Sequence, residues 1–242
     1  MNRALLASAP LFLLTGCFEE DAGDLICLAC DDDGDGFSLA EEQAAGTNPD
    51  NEYSRPYEGG YNVGFCDTPY DEDAAGPTGM ATMVYEGETY EWEAYALGDI
   101  LENFTLIDQH GEEVDIYSFC GKHIVFAVGA GWCGPCRSVA QTLQAEQDVW
   151  RDSNVQFIEI ISQDDNGQPP SEEFLKGWHD QYGFTDIPVL GLSAESQGLS
   201  QLLDRDGYIP SIWQADATGT IVSADAGDSN PGNYIQAEAS AE

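Results

Sequence analysis

Basic residues are scarce: Lys and Arg number 7 against 45 Asp and Glu in 242 residues, a formal charge of −38. A surface of that sign repels nucleic acid and anionic membrane, so neither is expected as a partner through charge. The deficit is steepest between Glu19 and Asp99, where Arg55 is the lone cation, and much of that stretch reads as a solvated acidic surface. Histidine is sparse too, and His110, His123 and His179 are scattered without ligand spacing, so they are read as ordinary residues. A phosphate-binding glycine loop, a nucleotide fingerprint and a Ser/His/Asp arrangement are all missing. The one apolar run near the start, Ala4 to Leu14, is too short for a stable transmembrane helix, and no other segment could span a bilayer.

Cysteine, by contrast, is present 7 times. The stretch Gly131-Trp132-Cys133-Gly134-Pro135-Cys136 follows Ile124-Val125-Phe126-Ala127-Val128, a short apolar run rich in β-branched residues that predicts a buried strand. Pro135 suits the first turn of a helix, where a missing N–H is no loss. Cys133 is thus expected where strand hands over to helix, near free N–H groups and the positive dipole end, both of which favour the nucleophilic thiolate. Cys136, one turn on, is placed to resolve a mixed disulfide. Zinc would need a second ligand pair, and no cysteine follows Cys136.

Trp132-Cys133-Gly134-Pro135-Cys136 after an apolar strand resembles the active site of the thioredoxin superfamily, and residues 98–225 follow its order of elements. The stretch "Leu-Gly-Asp … Phe-Thr-Leu-Ile-Asp … Gly-Lys" is similar to the TlpA/redoxin branch, whose members are anchored outside the cytoplasm. The resemblance implies an α/β thioredoxin-like fold, a central mixed sheet flanked by helices, here with an N-terminal β-hairpin extension. It implies thiol–disulfide exchange without a metal or organic cofactor in the redox step, disulfide-containing protein substrates and a membrane-embedded electron donor. It places a cis-proline at Pro210, so that Trp132, Ile209 and Pro210 would shape the substrate groove; Pro188 lies too early in the chain for that role. The Gly-Pro pair between the cysteines is that of reducing thioredoxins, which favours a reductase. Ala127 stands where thioredoxins bury an aspartate, and Val139 where many TlpA-like reductases carry a glutamate. Glu159, on the neighbouring strand, is a candidate for the missing proton acceptor but reads first as a surface glutamate. Without a buried carboxylate beside it, Cys136 is expected to resolve slowly.

At the start, Met1-Asn2-Arg3, the apolar core and Leu14-Thr15-Gly16-Cys17 resemble a bacterial lipoprotein signal, with Cys17 acylated. That implies a protein lipid-anchored in the bacterial cell envelope; the rival is an ordinary cleaved secretory signal. Asp31-Asp32-Asp33-Gly34-Asp35-Gly36-Phe37-Ser38-Leu39-Ala40-Glu41-Glu42 has the spacing of a twelve-residue Ca²⁺ loop. Asp31, Asp33 and Asp35 would ligate at alternating positions, Phe37 through its carbonyl and Glu42 as the closing bidentate ligand. The stretch on to Asp50 resembles calcium repeats of the thrombospondin type 3 kind. Ser38, Leu39 and the lack of a second loop argue for a weak site, with Kd on the order of 10⁻⁴–10⁻³ M. The alternative is a merely acidic linker.

Cys27, Cys30, Cys66 and Cys120 allow three pairings that sequence does not choose among. Cys27–Cys30 with Cys66–Cys120 is the favoured one. The expected organisation is a signal over 1–16, an acidic tether with the calcium loop over 17–52, a linker over 53–80, a thioredoxin-like domain over 81–226 and a tail over 227–242 without a full terminal helix. Two other functions compete. A peroxidase of the peroxiredoxin type would need a Thr shortly before a lone cysteine, where Gly129-Ala130-Gly131 stand instead. A calcium-stabilised surface binding module would use the fold as scaffold without turnover.

Overall fold

The computed structural model describes residues 27–61, 77–119, 121–196, 199 and 207–226. The expectations for Cys17 and the signal, for the Cys66–Cys120 pair and for the C-terminal tail lie outside these residues. Among those described, no helix is long and apolar enough to cross a membrane.

The chain forms the expected thioredoxin-like arrangement. Strands β1 (Gly79–Tyr85) and β2 (Glu88–Ala94) make the N-terminal hairpin around Glu86 and Gly87, both at positive φ. The main sheet is built from β3 (Thr105–Ile107), β4 (Glu113–Asp115), β5 (His123–Gly129), β6 (Val155–Ile161), β7 (Val189–Gly191), β8 (Ser211–Ala215) and β9 (Ile221–Ala226). Their order is β4-β3-β7-β6-β5-β8-β9, with β5, β6 and β7 parallel and the flanking strands antiparallel. Helix α1 (Leu39–Ala45) follows the acidic loop, α2 (Gly134–Trp150) joins β5 to β6, and α3 (Glu172–Tyr182) joins β6 to β7.

The parallel strands read as continuous apolar runs because both of their faces are covered. On β5, Ile124, Phe126 and Val128 point into one apolar cluster, while Val125 and Ala127 point into another beneath α2 and α3. Val139, Leu143, Leu175 and Trp178 bring the two helices onto that second face. Ser171 caps α3 by accepting from the Phe174 N–H, and Gly183 ends it in the left-handed region.

The stretch expected as a linker does more than connect. Tyr57 and Tyr61 are 5% and 3% exposed and belong to the first cluster, with Tyr61 stacked on Phe119. Tyr57 shares a 3.0 Å hydrogen bond with Ser118, Tyr61 donates to Asp108, and Arg55 donates to the Glu113 carbonyl at 2.7 Å. Residues 53–61 therefore strap the β3–β4 edge of the sheet. The stretch around the two tyrosines holds Pro56, Gly59 and Gly60 and no sustained apolar period, so sequence patterning does not mark them as core.

Candidate active site

Cys133 and Cys136 are joined in a disulfide, with an S–S distance of 2.04 Å. Strand β5 delivers the chain to Ala130, and Cys133 is the N-cap of α2, with Pro135 in its first turn. The Cys136 N–H points at Cys133 Sγ from 3.2 Å, so once the bond is reduced a Cys133 thiolate has a backbone donor and a helix N-terminus to hold its charge. Both cysteines are buried, at 4% and 1% exposure, whereas Trp132 is 55% exposed beside them.

The Ile209–Pro210 peptide is cis and immediately precedes β8, the antiparallel neighbour of β5. The Ile209 carbonyl lies 3.8 Å from Cys133 Sγ, and Ile209 packs on the cluster formed by Ala130 and the two cysteines. The structure thus brings Trp132, Cys133, Cys136, Ile209 and Pro210 into one locality, although more than seventy residues separate the two segments.

Several residues that sequence reasoning passed over hold this locality in place. The Trp132 indole N–H donates to Gln163 at 2.8 Å, and the Gly131 N–H donates to the Gln163 carbonyl at 2.7 Å. The loop after β6 lies so close that a Cβ on Gly131 would stand 2.8 Å from the backbone of both Asp164 and Asp165. Arg137 donates through Nε to the Gly131 carbonyl at 2.7 Å, pairs with Asp165, and lies 5.1 Å from the centre of the Trp178 ring. An arginine one residue after a redox cysteine carries no motif signal, so only the fold identifies its role.

The expectation for Glu159 is overturned. It is 1% exposed, on a strand buried along its whole length, and pairs in register with Ala127. Alternation along β6 turns it to the same side of the sheet as Phe157 and Ile161, beneath α2. Burial pushes its carboxyl well above the ordinary range, and Oε2 has no hydrogen-bond partner. A Cβ built on Gly129 would stand 2.9 Å from Cys136 Cβ, 3.3 Å from Cys136 Sγ and 3.8 Å from Glu159 Oε1, so a bare glycine separates the sulfur from the carboxyl. Cys136 therefore does have a buried carboxyl beside it. A single polar residue between Ile158 and Ile160 looks like an outward position, but the face it turns to is covered by α2 and α3.

In the acidic loop, Asp31, Asp33 and Asp35 turn carboxylate oxygens to within 4.8 Å of one another. Asp31 accepts from the Gly34 and Gly36 N–H groups at 2.8 and 3.1 Å, and Asp35 accepts from the Phe37 N–H at 2.8 Å. Glu42, on α1, is fully buried. Burial raises its carboxyl above the ordinary value, and the charges of Asp33, Asp35 and Asp31 push the same way. Oδ2 of Asp33, Oδ2 of Asp35 and Oε2 of Glu42 are buried without hydrogen-bond donors. Converging, desolvated carboxylate oxygens without donors are a donor set that fits a hard cation. Phe37 is half-buried in the same turn. Cys27 and Cys30 form the favoured disulfide just before it.

His110 and His179, far apart in sequence, bring their ring centres to 6.5 Å, but their Nδ1 atoms are turned to Glu58 and Asp180.

The model of the AhpC/TSA family matches residues 97–223, just over half of the chain. No curated protein matches it. Solved structures similar to it include the thioredoxin domain of a thiol-disulfide oxidoreductase from Bacteroides vulgatus, at 19% identity and a TM-score of 0.45, covering 57% of this chain and 94% of that one. A thiol:disulfide interchange protein of the thioredoxin family from Chlorobium tepidum is similar at 22% identity and a TM-score of 0.46, covering 57% and 92%. A thiol peroxidase from Chromobacterium violaceum is similar at 17% identity and a TM-score of 0.45, covering 66% and 92%.

Proposed function

This chain belongs to the AhpC/TSA family, and from that premise we propose that it is a lipid-anchored, extracytoplasmic thiol–disulfide oxidoreductase that reduces protein disulfides through Cys133 and Cys136. The observation that carries the reading is the Cys133–Cys136 disulfide at the N-terminus of α2, with the Ile209 carbonyl beside the outer sulfur. In the reaction, the Cys133 thiolate attacks a client disulfide and expels one client thiolate. Cys136 then attacks Cys133 Sγ, releases the second client thiolate and restores the disulfide. The Ile209 carbonyl and the face of Trp132 border the approach to Cys133, so an extended client segment could pair there as a strand does. A membrane-embedded donor would return the electrons.

Insulin-disulfide reduction by the full chain tests this reading. Turnover that disappears in Cys133→Ser supports it, and a wild type without turnover would favour a scaffold. A peroxidase would consume peroxide in place of disulfides, and Gly129-Ala130-Gly131 before Cys133 offer it no threonine hydroxyl. The anchor is tested separately: wild type should partition with membranes and Cys17→Ser should not.

A second reading concerns the acidic loop. We infer that it binds Ca²⁺ through Asp31, Asp33, Asp35, the Phe37 carbonyl and Glu42, and so stiffens the tether next to the domain. The buried, donor-free Oε2 of Glu42 favours this over an acidic linker, because a solvated linker has no reason to bury a carboxylate among three others.

A further inference from the structure

We propose that Glu159 is the proton acceptor and donor of Cys136, acting from the strand beside the one that carries the active site. The inference rests on the oxidoreductase reading for its biological use, but its chemistry belongs to the cysteine pair alone.

Three observations carry it. The first is placement. Glu159 pairs with Ala127, lies on the same side of the sheet as Cys136, and is separated from its sulfur by the unsubstituted Cα of Gly129. Both groups lie within 4 Å of the point where a Gly129 Cβ would stand, 3.3 Å for Cys136 Sγ and 3.8 Å for Glu159 Oε1, a gap that one water can bridge. The second is isolation. A carboxylate removed from water with an unpartnered oxygen is strained as the anion and takes up a proton readily, and burial is what raises this one. The third is the character of the neighbours. The cluster that this side of β6 faces presents Ala127 from β5, Val139 and Ala140 from α2, Leu175 from α3, Val189 from β7 and Ile212 from β8, with Tyr182 half-buried at its rim. Ala130 joins the two cysteines in the adjoining cluster. No cation stands among these residues, and the titratable group nearest the carboxyl across Gly129 is the Cys136 thiol.

After Cys133 has formed a mixed disulfide with the client, the Cys136 thiol passes its proton to the Glu159 carboxylate. The Cys136 thiolate attacks Cys133 Sγ, the bond from Cys133 to the client breaks, and the client sulfur leaves as a thiolate that takes a proton from solvent. The cysteine pair has then given two electrons to the client, and Glu159 holds one proton. When a donor dithiol re-reduces the pair, one of its thiolates attacks Cys133 and Cys136 departs as a thiolate. Glu159 protonates that thiolate and returns to the carboxylate. A buried acid with a raised affinity for protons suits this exchange, because the upward shift brings it nearer to a thiol than an exposed carboxyl is.

The test is the reaction of the full chain, its active-site pair reduced, with a small chromogenic aromatic disulfide. Attack by Cys133 releases the first aromatic thiolate, and resolution by Cys136 releases the second. In Glu159→Gln the first release is unchanged. The second is about a hundredfold slower at neutral pH and rises in proportion to hydroxide, instead of levelling once Glu159 has ionised. Glu159→Asp falls between the two and keeps the wild-type form of the pH profile. An unchanged second release in Glu159→Gln overturns the proposal. So does a wild-type second release that climbs in proportion to hydroxide from about pH 5 to about pH 9, a result that needs no variant to fold. Because the probe is not a protein client, failure of wild type on insulin would count against the oxidoreductase reading and leave this inference standing. Normal insulin turnover with an unchanged second release in Glu159→Gln would do the reverse.

Discussion

The backbone N–H of Cys136 points at the sulfur of Cys133 from 3.2 Å, across the first turn of α2. The relationship is asymmetric: Cys133 Sγ meets a donor and a helix N-terminus, while Cys136 is turned into an apolar interior beside Gly129 and an uncharged-favouring carboxyl.

Cys133 is therefore expected to ionise below the unperturbed thiol value of about 8.5 and to act as the nucleophile. Limiting iodoacetamide should alkylate Cys133 first in the reduced protein, and Cys136→Ser should trap client mixed disulfides where Cys133→Ser traps none. Peptide mapping and non-reducing gels read both results, and equal trapping by the two variants would reverse the roles.

Gly129 is expected to resist even one added methyl. Its Cβ would sit 2.9 Å from Cys136 Cβ, and neither the helix nor the strand can shift freely. Gly129→Ala should destabilise the oxidised protein by about 1–3 kcal/mol in urea unfolding. A midpoint equal to wild type would mean that the site has slack that the packing does not show.

Two buried carboxyls should respond to pH with opposite sign. Burial pushes Asp99 up, but hydrogen bonds from the Ala96 N–H and from the hydroxyl and N–H of Thr78 outweigh it, and its net shift is downward. A lowered carboxyl stabilises the fold above its unfolded value of about 3.9, and that contribution is lost as pH falls through the folded value. Glu159 is raised, so its contribution is full below the unfolded value of about 4.3 and is lost as pH rises through the folded one. Asp99→Asn should cost about 1–3 kcal/mol at neutral pH, with a gap that narrows in acid. Glu159→Gln should gain on wild type as pH rises. Urea unfolding across a pH series checks both, and a gap independent of pH in either variant would refute its assignment.

Calcium at about 10⁻³ M should protect residues 27–52 from proteolysis and raise the unfolding midpoint. Glu42→Gln, which removes the closing carboxylate, should abolish most of that protection. Digestion that is the same with calcium and with chelator would leave the stretch an acidic linker.

The sequence by itself determined the elements and the chemistry of the two sulfurs. Short β-branched runs became β5 and β6, Ser171 and Gly183 bounded α3, and Pro135 after Cys133 opened α2, because strand period, caps and proline act over a few residues. What only the tertiary structure decided is what lies beside those sulfurs. Ile209 reaches Cys133 because β8 returns antiparallel to β5, Gln163 and Arg137 hold the Trp132 loop because the turn after β6 folds over it, and Tyr57 and Tyr61 join the core because the strap crosses the β3–β4 edge. Glu159 is the sharpest case: its polarity suggests an outward position, and only the parallel pairing of β5 with β6 under α2 places its carboxyl next to Cys136. Local patterning records which residues share a face of one element, whereas the register between strands distant in sequence sets which faces meet.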